Sequence, residues 1–450
     1  MVRRTALTLA WALVSVAYPA WAVDRTAASC SGPHVQAAID ASANGDRVII
    51  PPGSCTWTTS VSTGQKAIKI IGNNANPTLP AQGADGAVTI TVDNGAVNAF
   101  FTVYETTVSN TEVSNLTFVQ GPGRPVTSMV LLQHVVNGLP ILFHHNNLVY
   151  HQCAPGIAIS TSFNRGVVWR NQFLNDVPLA PCGWLTATTA INVEPSVTDG
   201  LALWNSMSTL GAVDTNGDKH LYFEMNRIEN FTNNAFDIND GGRFVARHNT
   251  FLDTAGANHG HDSGVVGARQ MEIYDNTFVL TDRGNDTANL GRWIGLRGGT
   301  GVITDNIFPV LNVPAFGGLK SNVTLAVFVL QSAELGGCYT GTYPWLRQIG
   351  RGWDGSLDPH GDPQVLDPLY YWNNRVSPGG PLATGMVSTN LPVNTCGLNA
   401  PDVSVFLQQG RDFYNEVARP GYVKYQYPHP LTLSSSPASR PIAPTNLQVR

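Results

Sequence analysis

The stretch 218–308 repeats one phrase: HLYFEMNRI at 220–228, RFVARHNTF at 243–251, QMEIYDNTF at 270–278 and TGVITDNIF at 300–308. An earlier copy, RGVVWRNQF, occupies 165–173. Each copy is a polar or small residue, five residues of strand character, Asn, a spacer and a large apolar residue. The steps from Asn226 to Asn249, Asn276 and Asn306 are 23, 27 and 30 residues. That is too short for separate domains and fits one turn of a solenoid. Side chains alternate faces along a strand, so Leu221/Phe223, Phe244/Ala246 and Met271/Ile273 form an inward set. Tyr222/Glu224, Val245/Arg247 and Glu272/Tyr274 form the outward one. Asparagines in register on coils about 4.8 Å apart can hydrogen-bond in a ladder at the bend of each coil.

These features predict an all-β chain folded as a right-handed parallel β-helix. Outside the repeat, 1–22 reads as a secretory signal: Arg3 and Arg4, an apolar run from Ala6 to Ala17, and a small-x-small site at Ala20-Trp21-Ala22. The run is shorter than the about 20 residues needed to span a bilayer. The expectation is a secreted protein, extracellular or periplasmic, with no membrane span. The expected organisation is a signal at 1–22, a β-helix with N-terminal cap over 23–310, last coils and an aromatic-rich cap over 311–432, and a Ser/Pro-rich tail at 433–450.

Lys and Arg total 26 against 31 acidic residues, which supplies no basic footprint for nucleic acid. Gly 44, Pro 29 and 13% charged residues suit a turn-rich β chain. Six cysteines in an exported chain point to disulfides. Nearest-neighbour pairing gives Cys30–Cys55, Cys153–Cys182 and Cys338–Cys396 as the working set.

The segment PHVQAAIDASA at 33–43 has the apolar spacing of a short amphipathic helix, suited to covering the open end of the first coil. Extended to Trp57, the run VQAAIDASANGDRVIIPPGSCTW at 35–57 resembles the opening of pectate-lyase-like β-helix proteins. The Asn-x-Phe coils continue that resemblance to about residue 310. It implies the fold, and a superfamily of polysaccharide lyases, glycoside hydrolases, esterases and non-catalytic adhesins.

Asp218, Asp240 and Asp262 fall 22 residues apart. One coil per interval would stack them about 5 Å apart, raising the pKa of at least one. Such a pair suits glycosidic hydrolysis. Asp-Gly and Asn-Gly turn chemistry accounts for each aspartate equally well. Beside Asp262 lies Asn258-His259-Gly260-His261. This run, with Asp218 and Asp240, resembles the polygalacturonase site, which implies an acid pair assisted by His259 or His261 and a downstream basic element at Arg292 or Arg297. The chain lacks that family's Asn-Thr-Asp, paired Asp-Asp, intact Gly-His-Gly and Arg-Ile-Lys.

A second set, Lys219, Arg243 and Arg269, opens strands at one phase and suits a lyase acting on a polyuronide by β-elimination; pairing with turn aspartates is the structural alternative. Trp169, Arg247 and Tyr274, with Glu224, share one exterior column where rings can stack on sugars. Asp214-x-Asn216-x-Asp218 has alternate oxygen ligands that would suit Ca²⁺, without the glycine and glutamate of a complete loop. The C-terminal aromatics, among them Tyr370, Trp372, Tyr422 and Tyr425, read as a cap or as a sugar-stacking wall. Three functions remain open: a hydrolase of an extracellular polysaccharide, a polysaccharide lyase, and a glycan-binding or adhesive β-helix.

Overall fold

The computed structural model describes residues 22–73, 87–93, 99–121, 128–150, 156–175, 188–195, 197–231, 234–260, 266–279, 292–308, 324–328, 343–383, 387–389 and 406–434. The chain is a parallel β-helix. Among the described residues, strands stack into sheets of twelve, ten and eight, each paired in parallel with the strand one coil away. One full coil runs Asn234–Ile238 in the ten-stranded sheet, Arg243–Arg247 in the twelve-stranded sheet and Thr250–Leu252 in the eight-stranded sheet.

The inward set is as the alternation predicts. Leu221, Phe223, Phe244, Ala246, Met271 and Ile273 are all fully buried in the main core. Phe251, Phe278 and Phe308 stack in file, with centroids 4.7 and 4.6 Å apart.

The corner between the twelve- and eight-stranded sheets explains the repeated Asn. The residue before it is left-handed in every described coil: His145, Arg170, Met225, His248, Asp275, Asp305 and Asn373 have φ between 51° and 58°. A non-glycine residue there costs roughly 1–2 kcal/mol. The asparagine offsets that cost by closing the corner's buried polar groups. Asn249 Oδ1 accepts from the Asn226 backbone at 2.9 Å and from Asn226 Nδ2 at 3.2 Å. Its own Nδ2 donates to Phe223 O at 2.7 Å and Asn276 Oδ1 at 2.9 Å. The ladder runs Asn146, Asn171, Asn226, Asn249, Asn276, Asn306 and Asn374. In Ser114-Asn115-Leu116 the asparagine stands one residue early, at the left-handed position (φ 61°). Leu116 fills the ladder position, and its N–H donates to Asn146 Oδ1 at 3.0 Å. The fading repeat beyond 311 resumes at Leu369–Trp372 and Phe413–Asn415, which extend the twelve-stranded sheet.

The cap helix is Gly32–Asp40, with Val35, Ala38 and Ile39 turned inward. Cys30 and Cys55 are joined. Cys153, Cys182, Cys338, Cys396, the signal residues 1–21 and the tail 435–450 lie outside the described residues. No helix among the described residues is long and apolar enough to cross a membrane.

Two segments cover the outer face of the twelve-stranded sheet. The excursion 194–220 replaces the turn between Thr188–Val193 and Leu221–Glu224, and includes helix Val197–Trp204. Arg243 holds it through Thr209 Oγ1 (3.2 Å), Leu203 O (3.3 Å), Met207 O (3.0 Å) and Ser206 Oγ. The C-terminal segment 419–434 then lies across several coils. Tyr422 donates to Glu272 at 2.7 Å, Lys424 bridges Asp275 (2.8 Å) and Asp305 (2.6 Å), and Tyr425 O accepts from Arg247 at 2.9 Å. A second apolar cluster forms beneath: Leu142, Val167, Trp169, Tyr222, Val245, Tyr274 and Tyr425.

His429 closes this cover, with Nε2 2.9 Å from Asp214 O and Nδ1 accepting from the Leu431 amide at 3.2 Å. Burial, then the Arg247 charge, pull its pKa down to about 4, against partial opposition from Asp214. An imidazole with a depressed folded pKa binds fewer protons than the unfolded chain, so its contribution is full above about 6.5 and is lost as pH falls toward 4. Urea unfolding from pH 7 to 4 should show stability falling in that window, and His429→Gln should flatten the slope.

Candidate functional site

The ten-stranded sheet carries a polar outer face. Its strands continue in register through Tyr104, Gln133, Ser162, Glu194, Asn239, His259 and Arg297, one residue from each of seven consecutive coils. Two residues earlier, a parallel row holds Thr102, Leu131, Ser160, Asn192 and Asp237. Phe236 and Ile238 are fully buried, so the two-residue period turns Asp237 outward between them.

His259 lies between an acid and a base. Its Nε2 is 3.0 Å from Asp237 Oδ1, and its Nδ1 is 3.0 Å from Arg297 Nη1. The buried amide of Asn258 fixes that neighbourhood: Oδ1 accepts from the Arg297 backbone and Nδ2 donates to Gly298 O, both at 2.8 Å. Gly298 is required there, because a Cβ would meet Gly260 Cα at 2.7 Å and Arg347 O at 2.8 Å. Asn234 Nδ2 reaches the other oxygen of Asp237 at 3.3 Å.

A second carboxylate stands on the same face. Asn192 is the register partner of Asp237, and its Nδ2 donates to Glu194 Oε2 at 2.9 Å. The Glu194 amide donates to Thr161 O at 3.0 Å, which keeps the residue in the sheet's hydrogen-bond pattern. A strand spacing of about 4.8 Å and a two-residue rise of about 6.6 Å put the Cα atoms of Glu194 and Asp237 about 8 Å apart. Glu194 is exposed, and the Asp237 and His259 side chains are 14% and 17% exposed.

The residues singled out by spacing are distributed differently. Asp218 is exposed at the end of the excursion. Asp240 is 3% exposed at φ 41°, in a turn where its amide donates to Asn239 Oδ1 at 2.9 Å. The excursion breaks any column between them: Asn164, two coils back, contacts Gly241 O (3.2 Å) and the Arg243 amide (2.8 Å) directly. Asp262 and His261 lie outside the described residues. The split acid pair sought between coils occurs instead within one turn. Burial and the Asp214 carboxylate push Asp218 up, while Asp214, despite burial, is held low by His220 and the Asp218 amide.

Asp214-x-Asn216-x-Asp218 is a capped turn. The two oxygens of Asp214 accept the amides of Asp218 (2.9 Å) and Lys219 (3.1 Å) rather than pointing at a common centre. Lys219 donates to Val213 O. Arg243 and Arg269 are buried beneath the excursion, with Arg269 against Ser206 O and 3.7 Å from Asp367.

The column of Trp169, Glu224, Arg247 and Tyr274 does align across four strands. Its expected openness to sugar does not hold: all four are 0–3% exposed, covered by the C-terminal segment. Trp169 stacks on His144 (centroids 4.1 Å), and Arg247 binds Glu224 at 2.7 Å and Tyr274 Oη at 3.1 Å. Arg297 is on the polar face beside His259. Arg292 begins strand Arg292–Leu296 of that same sheet. Of the expected site residues, the described structure therefore brings together His259 and Arg297 on a partly exposed face, and Trp169, Arg247 and Tyr274 under cover.

Spacing along the chain missed Asp237, Glu194 and Asn192. The signal was present in strand phase: aligning AINVE at 190–194 with AFDIN at 235–239 puts Asn192 and Asp237 at one outward position. Comparison with protein-family models and with curated proteins finds no match for this chain.

Proposed function

We propose that this chain is a secreted enzyme that cleaves glycosidic bonds of an extracellular polysaccharide along the outer face of its ten-stranded sheet. The carboxylate pair Asp237 and Glu194 carries the reading. The two acids stand on neighbouring strands of one partly exposed face, with backbones about 8 Å apart, and inverting hydrolysis uses an acid pair with room between its carboxyls for a water. One acid protonates the leaving oxygen and the other activates that water. The rows of Thr102, Gln133, Ser160, Ser162 and Asn192 supply hydroxyls and amides to a chain lying across the strands.

The second reading, a polyuronide lyase, draws on Arg297. A guanidinium beside an imidazole can neutralise a uronate carboxylate while a base removes the C5 proton. A third, glycan binding without cleavage, would use the same face.

Purified protein on a panel of neutral and acidic polysaccharides separates the three. Hydrolysis should release reducing ends with no ultraviolet-absorbing product. Unsaturated, absorbing product would replace hydrolysis by elimination. Retardation in a polysaccharide gel with neither product would leave a binding protein, and no interaction with any glycan would overturn the proposal.

A further inference from the structure

We infer that Arg297 is a positioning residue that acts through His259, holding the imidazole neutral with its proton on Nε2 so that Asp237 faces a neutral donor rather than a cation. A guanidinium has only donors, so the Nη1 contact at 3.0 Å requires a lone pair on His259 Nδ1. The remaining ring proton then sits on Nε2, the nitrogen 3.0 Å from Asp237 Oδ1. Protonating Nδ1 would set two donors and two positive charges against each other at that distance. The described charged groups facing the ring are Asp237, from the neighbouring coil's strand, and Arg297, from the next coil. Asp240 lies in the turn beyond Asn239, and Glu194 lies two coils back on the same row.

The consequence concerns Asp237. Beside an imidazolium it would stand in an ion pair. Beside a neutral imidazole it faces an uncharged N–H. The ring thereby orients Asp237 on the face it shares with Glu194. This assignment rests on the hydrolytic reading; the tautomer of His259 does not.

The test is ¹⁵N NMR of histidine-labelled full-length protein, with His259→Asn identifying the resonance. In the wild type, His259 should show the Nε2–H tautomer and stay neutral well below pH 6.5. Arg297→Gln should raise the His259 titration by about one unit or more, whereas Arg297→Lys, which keeps a donor, should leave it near wild type. In kcat/KM, Arg297→Gln should alter the pH profile, and Arg297→Lys should restore it. A wild-type Nδ1–H tautomer, a ring already protonated near pH 6.5, or a titration indifferent to Arg297→Gln would overturn the inference. An inactive protein with the expected NMR would instead sink the hydrolytic reading alone.

Discussion

Asp237→Asn should lower kcat/KM on the cleaved polysaccharide by at least about 10²-fold, within the range expected for loss of a general acid or base. The substitution is nearly isosteric and keeps one acceptor oxygen, which can stay toward Asn234 Nδ2, so the thermal midpoint should stay within a few degrees of wild type. Glu194→Gln should cost a similar factor. The double variant should lose far less than the product of the two, because both groups serve one displacement. Asp240→Asn gives the opposite pattern. Asn tolerates the left-handed backbone at φ 41°, and the residue lies in a buried turn, so activity should stay within about threefold of wild type, well short of a general-acid loss. Initial rates of reducing-end release for the four proteins decide between the assignments. Full activity in Asp237→Asn, or a collapse in Asp240→Asn, would return the chemistry to the turn aspartates.

The largest stability effect should come from Glu224→Ala, at about 3–5 kcal/mol. Glu224 and Arg247 form an ion pair at 2.7 Å with neither side chain exposed. Glu224 also accepts the His429 amide at 3.2 Å. Removing the carboxylate leaves a guanidinium buried without its partner, and its remaining contacts, Tyr274 Oη and Tyr425 O, are neutral. The urea midpoint should fall, and limited proteolysis should begin within 419–434, the segment that buries the pair. Glu224→Leu with Arg247→Met should recover most of the loss, because apolar replacement of both partners removes the desolvation cost with the attraction. A midpoint shift under about 1 kcal/mol in Glu224→Ala would mean that water reaches Arg247 and that the cover is loose.

The β-helix was legible because its signals are local and repeated. Period-two alternation assigned Phe223 and Ala246 inward, and the recurring Asn marked the corner that needs buried amides closed. Where one letter slipped, as at Asn115-Leu116, the left-handed position and the ladder position exchanged occupants, which only the register reveals. The candidate site was harder. Equal 22-residue steps joined Asp218 to Asp240, but coil lengths vary and Asp218 sits at the end of the 194–220 excursion. His259 and Arg297 were within reach because both follow strands of one sheet. Asp237 and Glu194 were visible only as single acids at outward phase.

The sequence by itself determined the coil, its inward face and its asparagine corner, because these depend on neighbours a few residues away and on the fixed spacing of stacked strands. It also marked Trp169, Glu224, Arg247 and Tyr274 as one outward column. Whether outward meant solvent was settled by the tertiary structure, since a segment some 150 residues downstream lies over that column, as the 150-residue reach from Glu272 to Tyr422 shows. Covering one outer face and leaving the ten-stranded sheet's polar rows partly exposed is a long-range packing outcome, and no periodicity within a coil encodes it.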